Sequence, residues 1–100
     1  MTEKLIPLTH PGEFLLENYL EPLGMSQRAL AKALGISAPR INDLVRGRRG
    51  ITGDTALRLA AYFGTSAEFW INLQGQYELD LAREAANDDL EAIEPLAAKA

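Results

Sequence analysis

Polar side chains able to bond the edges of DNA bases are grouped near the middle of the chain. Arginine can bond guanine through two hydrogen bonds, asparagine can bond adenine, and aspartate can accept a hydrogen bond from cytosine N4. Arg40, Asn42 and Asp43 offer these three groups, and Arg48 and Arg49 follow between two glycines. Paired arginines in such a loop are typical of phosphate anchors, which position a protein on DNA without specifying sequence. The pattern predicts recognition of nucleic acid.

Catalytic and metal-binding chemistry finds little support in the same sequence. The chain has no cysteine and one histidine, His10, which excludes a disulfide framework, a thiolate metal site and the usual histidine clusters. The sequence offers no candidate pair of a catalytic nucleophile and a general base. The segment GRRG does not follow a predicted strand, as a phosphate-binding loop would. We therefore expect no metal, no cofactor and no enzymatic activity. We expect His10 at a helix start and Trp70 in the core.

Charge is distributed unevenly along the 100 residues, whose net charge is −4. Residues 23–65 contain seven basic and two acidic side chains, a net +5, so the remainder carries −9. A basic segment within an acidic protein is a candidate site for a polyanion. The alternative is an ordinary variation of surface charge.

The composition favours an all-α protein. Leucine and alanine, both strong helix formers, make up about a third of the chain, whereas the β-branched residues that strands prefer are few. No apolar run approaches the roughly 18–20 residues of a membrane helix, and the N-terminus has no signal-peptide core. We expect one cytoplasmic domain and no membrane contact.

Capping residues predict five helices. With their caps, they cover residues 11 to about 20, 26 to 35, 37 to about 46, 52 to about 64 and 66 to about 86. Pro22 and Gly24 are expected to end the first helix, and Thr65 and Glu68 to form a capping box for the fifth. A short turn over residues 90 to about 96 follows. The predicted organisation is an N-terminal arm (1–9), a helix-turn-helix domain (10–86) and a C-terminal extension (87–100).

The second and third helices form the predicted helix-turn-helix, at about residues 26–46. Gly35 can adopt the left-handed conformation of a tight turn, and one residue separates it from the next cap, Ser37. Ala31 is small where the helices must approach, and Ile41 and Leu44 would pack back onto the second helix. A helical hairpin without DNA-binding function is the alternative.

The helical wheel of the third helix separates a buried face from an outer face. Pro39, Asp43 and Arg46 point outward, with Arg40 and Asn42 on the flanks. Pro39 could contact a thymine methyl, and the start of the second helix has free N–H groups that suit phosphate. The predicted DNA-binding residues are Ser26, Gln27, Ser37, Pro39, Arg40, Asn42, Asp43, Arg46, Arg48 and Arg49.

Asp43 has an alternative role. It could form a salt bridge with Arg40 or Arg46, or repel phosphates and so sharpen specificity. A charged residue on an exposed helix face is often merely solvated.

Residues 10 to about 79 resemble the XRE (lambda-repressor-like) helix-turn-helix family. They are most similar to its branch of HigA antitoxins, which includes VapI-like regulators. The stretches HPGE, LEPLGMSQ, INDLVRGRRGIT and SAEFWINLQ carry the resemblance. It implies a five-helix DNA-binding domain that represses its own operon as a homodimer.

The resemblance also implies a toxin partner. HigA antitoxins neutralise a HigB toxin, a RelE-like mRNA interferase. A ribonuclease that engages ribosomal RNA should be basic, so Glu13, Glu17 and Glu21, which repeat along one helix face, could meet it. The alternative is that this face is simply solvated.

Three functions remain open at this point. The first is an antitoxin that binds both operator DNA and a toxin. The second is a stand-alone repressor of the same fold without a toxin, and the third is a protein-interaction module that has lost DNA binding. The basic segment and the polar outer face argue against the third.

Overall fold

The computed structural model of the protein describes residues 9–86 and 88–99. Most of the predicted N-terminal arm, Asn87 and Ala100 therefore lie outside the described residues. The described part of the chain is helical and contains no strand, which confirms the all-α class.

Five helices precede a short C-terminal segment. Helix α1 joins three segments, Pro11–Leu15, Leu16–Leu20 and Glu21–Leu23. Four helices follow it: α2 (Gln27–Leu34), α3 (Ala38–Val45), α4 (Gly53–Phe63) and α5 (Ala67–Ala85). The C-terminal segment contains the short helix α6 (Asp88–Glu91) and a 3₁₀ turn (Leu96–Lys99). The predicted turn over residues 90–96 thus begins earlier, at Asp88, and forms two separate pieces.

Helix α1 is longer than the sequence predicted, because Pro22 does not end it. The middle segment is a π-helix in which the Glu21 N–H donates to the Leu16 carbonyl, five residues back. This wider pairing accommodates a proline, which has no N–H to contribute to the helix. The helix ends at Gly24, the other residue predicted to end it, whose φ of 63° is left-handed.

The helix-turn-helix has the predicted caps. Ser26 Oγ accepts from the Ala29 N–H at 3.0 Å, and Ser37 Oγ accepts from the Arg40 N–H at 3.2 Å. Gly35 joins α2 to α3 with a φ of 73°. Local side chains therefore fix both helix starts and the turn between them.

The cap of α5 differs from the predicted capping box. Ser66 Oγ accepts from the Phe69 N–H at 3.0 Å and is the N-cap. Thr65 Oγ1 instead accepts from the indole N–H of Trp70 at 2.7 Å. A buried indole needs a hydrogen-bond acceptor, and this need determines the role of Thr65.

Trp70 lies at the centre of the core, as predicted. Its side chain is fully buried, and the rings of Phe14, Tyr19, Phe63 and Phe69 lie 5.0–6.3 Å from it. Leucines and isoleucines from α1 to α4 complete the core: Leu15, Leu20, Leu30, Leu34, Ile41, Leu44, Ile51 and Leu59. Beyond residue 80, by contrast, the described side chains up to residue 97 are exposed.

Candidate nucleic-acid interface

Helix α3 has one face in the core and one face at the surface. Ile41 and Leu44 are 0% and 2% exposed, whereas Pro39 and Arg46 are exposed and Asn42 is half-buried. This division matches the predicted wheel. It gives the protein a polar helix face on a rigid support, which is the arrangement that major-groove contacts require.

Helix α1 packs directly on the main chain of α3 at Gly12. A Cβ atom at Gly12 would overlap the Leu44 carbonyl oxygen and lie 2.6 Å from its carbonyl carbon. The glycine of the HPGE stretch therefore sets how closely α1 approaches the end of α3.

His10 caps α1. Its Nδ1 accepts from the Gly12 N–H at 2.9 Å, so the neutral ring carries its proton on Nε2. Burial lowers the pKa of His10, while the charge of Glu13 opposes this shift. The imidazole also makes an edge contact with Tyr77 of α5, with ring centroids 5.0 Å apart. The predicted place of His10 at a helix start is confirmed.

Asn42 and Gln27 form a hydrogen bond between the two helices of the motif. Asn42 Nδ2 donates to Gln27 Oε1 at 3.0 Å. Asn42, a predicted base contact, and Gln27, a predicted phosphate contact, therefore orient each other.

Arg40 is engaged within the domain. Its Nη2 donates to Asp54 Oδ2 and to Thr55 Oγ1, both at 3.0 Å, and its Nε is buried without a partner. The guanidinium therefore ties α3 to the start of α4. A contact between Arg40 and a base would require it to leave Asp54.

Arg58 also bonds Asp54, and it extends this network to the motif's turn. Arg58 Nε donates to Asp54 Oδ2 at 3.0 Å, and its Nη1 donates to the Leu34 carbonyl at 2.8 Å. The hydrogen bonds from Arg40 and Arg58 lower the pKa of Asp54. Sequence analysis did not identify this pair, although its spacing of four residues on a helix was a usable signal.

Asp43 pairs with Arg48, and not with Arg40 or Arg46. The Asp43 Oδ1 to Arg48 Nη1 distance is 3.5 Å. The cause is the turn at Gly47, where the Arg48 N–H donates to the Asp43 carbonyl at 2.8 Å and returns the chain beside α3. Arg49 is exposed and forms no ion pair within residues 9–86 and 88–99.

Gln74 is a second residue that sequence analysis missed. Its Oε1 accepts from the Ile51 N–H at 2.7 Å, and its Nε2 donates to Glu78 Oε2 at 3.0 Å. The available signal was a polar residue one helical turn after Trp70, on the side of α5 that faces the core.

Glu13, Glu17 and Glu21 share one exposed face of α1, as the spacing predicted. A hydrogen bond in which the protonated Glu17 carboxyl donates to Glu13, together with the negative charges of Glu13 and Glu21, raises the pKa of Glu17. The face is therefore a concentrated patch of negative charge.

Other kinds of site find no support in the described residues. No described group of three or more histidine, cysteine, aspartate or glutamate side chains could hold a metal ion. No helix in residues 9–86 and 88–99 is long and apolar enough to cross a membrane.

The fold and the motif geometry place the protein in a known class. The helix-turn-helix family model HTH_3 matches residues 16–70, from within α1 to Trp70. The matched segment contains the motif, its supporting network and the loop at residues 47–51. The chain is a helix-turn-helix protein of the XRE type.

Comparison with individual proteins narrows this class. The chain is 52% identical over 95 residues to Virulence-associated protein I of Dichelobacter nodosus, covering 95% of this chain and 87% of that protein. It is 34% identical over 85 residues to Antitoxin HigA-1 of Vibrio cholerae, covering 85% and 80%. The chain therefore belongs to the HigA-type, VapI-like antitoxins of the XRE family.

A solved structure shows the same architecture. The antitoxin HigA of Pseudomonas aeruginosa, solved with the higBA promoter, superposes with a TM-score of 0.83 at 49% identity. The alignment covers 89% of this chain and 98% of that one.

Proposed function

We propose that the protein is an antitoxin that represses its own operon by sequence-specific DNA binding and neutralises a HigB/RelE-like mRNA interferase. The polar outer face of α3, beside a loop with two arginines, is the observation that carries the DNA-binding part. The similarity of the chain to a HigA antitoxin solved with promoter DNA also supports DNA binding.

In this proposal α3 enters the major groove. Pro39, Asn42, Asp43 and Arg46 contact base edges. The caps and first residue of the motif helices, Ser26, Gln27 and Ser37, contact phosphate together with Arg48 and Arg49. We assign Arg40 to bracing α3 against α4, because its guanidinium is held by Asp54 and Thr55.

A mobility shift on the protein's own promoter tests the DNA-binding part. We expect retardation of the promoter fragment at protein concentrations that leave a scrambled fragment of equal length free. Equal affinity for the two fragments would contradict sequence-specific repression.

The toxin contact is assigned to the acidic face of α1. Glu13, Glu17 and Glu21 are exposed, and the hydrogen bond with Glu13, together with the repulsion among the three carboxylates, raises the pKa of Glu17. A basic ribonuclease would relieve this repulsion, which favours association and accelerates it.

Co-expression with the neighbouring gene product tests this part. We expect the two proteins to purify together, and Glu17→Gln with Glu21→Gln to accelerate dissociation. The matched control is Glu68→Gln, which removes an exposed charge from the first turn of α5. Absence of any co-purifying toxin would favour the stand-alone repressor. If Glu68→Gln accelerated dissociation as much as the double variant, the acidic face of α1 would not be the toxin contact.

We further propose a two-fold homodimer. Exposed apolar side chains continue along α5 and the C-terminal segment: Ile71, Leu79, Leu81, Leu90 and Ile93 are 40–65% exposed. Such a surface is typical of a protein contact. A dimer would bind a palindrome with half-sites about one helical turn, or a multiple of it, apart.

Sedimentation and footprinting test the dimer. We expect a dimer that Leu79→Gln weakens, whereas the control Leu57→Gln, at an apolar residue of α4 that is 64% exposed, leaves it intact. A monomer that protects a single half-site would contradict the proposal.

A further inference from the structure

Gln74 joins helix α5 to the loop that carries the two adjacent arginines. We propose that Gln74 is the positioning residue for the phosphate anchors Arg48 and Arg49, an inference that rests on the proposed DNA-binding function. The bond that carries it runs from the Ile51 N–H to Gln74 Oε1, at 2.7 Å across 23 positions of sequence.

The Gln74 amide is fixed at both ends. Its Nε2 donates to Glu78 Oε2 at 3.0 Å, one helical turn further along α5. This bond directs Oε1 towards the loop. The helix itself is anchored one turn earlier by Trp70, which is fully buried.

The loop lies directly against this amide. A Cβ atom at Gly50 would be 2.8 Å from Cδ, Oε1 and Nε2 of Gln74. A side chain at this position would therefore require the Gln74 amide to shift away from the loop. The shape of the loop and the position of the amide are therefore matched.

The two ends of the loop are tied differently. At its start, the Gly47 and Arg48 N–H groups donate to the Leu44 and Asp43 carbonyls of α3. At its end, Ile51 is held by Gln74 of α5 and is 4% exposed. Arg49 lies between these ties, so losing the Gln74 bond leaves the segment that carries it held at this end only by the buried side chain of Ile51.

A pre-organised loop binds DNA without first having to be ordered. An unpinned loop loses this advantage and holds its arginines less well against phosphates. Each lost phosphate contact lowers the slope of log affinity against log salt by about 0.9. Gln74 is uncharged, so an effect of its replacement on this slope would have to act through the arginines.

The test is Gln74→Met in the full chain, titrated with the promoter duplex at several salt concentrations. We expect about a tenfold loss of affinity at physiological salt and a slope flattened by about 0.9. In amide hydrogen exchange, the Ile51 N–H should lose its protection. Gly50→Ala, whose Cβ would displace the Gln74 amide from the loop, should act in the same direction and serves as a second variant.

Two variants separate positioning from a general effect on the helix. Gln76→Met is the matched control, because Gln76 Nε2 donates to Asp80 Oδ1 at 3.0 Å in the same spacing on the same helix. We expect it to bind DNA as the unmodified protein does. The exchange Gln74→Glu with Glu78→Gln keeps the net charge and restores an acceptor for Ile51, so it should recover both affinity and slope.

Each outcome has a distinct meaning. The role of Gln74 is overturned if Gln74→Met shows the same slope of log affinity against log salt as Gln76→Met. It is also overturned if the exchange variant folds but does not recover the slope of the unmodified protein. Arg49→Ala provides the benchmark for a lost phosphate contact. If Arg49→Ala leaves the slope unchanged, the phosphate assignment in the proposed function fails and this inference fails with it. If Arg49→Ala flattens the slope and Gln74→Met does not, the inference alone is wrong.

Discussion

Substitution of Gly12 by alanine perturbs the packing of α1 on the recognition helix α3. The new Cβ would overlap the Leu44 carbonyl oxygen and lie 2.6 Å from its carbonyl carbon and 3.0 Å from the Val45 Cα. Carbon atoms pack at 3.5–4.0 Å, so the two helices must separate by about 1 Å. The obstructing atoms belong to the main chain and cannot rotate away.

The expected cost follows from two opposing effects. Overpacking a close contact costs about 1–3 kcal/mol, and a main-chain obstacle places Gly12→Ala at the upper end of this range. The helix propensity of alanine offsets at most about 0.5–1 kcal/mol of this cost, because Gly12 lies in the first turn of α1. We therefore expect a net loss of about 2 kcal/mol, which shifts the urea midpoint down by about 1 M or more.

Gly75→Ala is the matched control for Gly12→Ala. Gly75 lies within α5, and a Cβ atom there would meet nothing within 4 Å. This variant should gain about 0.5–1 kcal/mol from the same propensity difference. A Gly12→Ala midpoint equal to or above that of the unmodified protein would refute the close-packing argument.

Two further predictions concern the core and the cap of α1. Trp70→Ala should cost about 3–5 kcal/mol, because the ring is fully buried; a folded variant with unchanged melting temperature but lost DNA binding would instead make Trp70 a contact residue. The lowered pKa of His10 means that the unfolded chain binds its proton at higher pH than the folded chain. Stability should therefore be complete above about pH 6.5 and fall as the pH drops through the lowered pKa of the folded state. Urea midpoints between about pH 7.5 and 5.5 test this, and His10→Asn, which can cap without titrating, should show a flatter dependence; an unchanged pH dependence in that variant would contradict the assignment.

The helices could be predicted from the sequence because their signals are local. The hydroxyls of Ser26 and Ser37 each cap a helix by accepting a hydrogen bond from the N–H three residues further along the chain. The turn at Gly35 depends only on the backbone freedom of that glycine. Pro22 was misleading because the π segment, which the residue pattern does not reveal, shifts the pairing before it. The cap of α5 was assigned one residue too early because Thr65 serves Trp70, a requirement of the folded core.

Only the part of the candidate site that depends on local sequence signals could be predicted. The outer face of α3 follows from helical periodicity alone. The partners of Arg40 and Ile51 are 14 and 23 residues away in sequence, so only the packed structure shows that Arg40 turns to Asp54 and that Gln74 holds the loop.

The most direct test of the proposed interface compares Asn42→Ala with Arg49→Ala on promoter and random DNA across salt concentrations. Asn42→Ala should cost about 1–3 kcal/mol on the promoter and much less on random DNA. Arg49→Ala should weaken both equally and flatten the salt slope by about 0.9. The account is contradicted if Arg49→Ala erases the sequence preference, or if Asn42→Ala weakens binding to promoter and random DNA to the same extent.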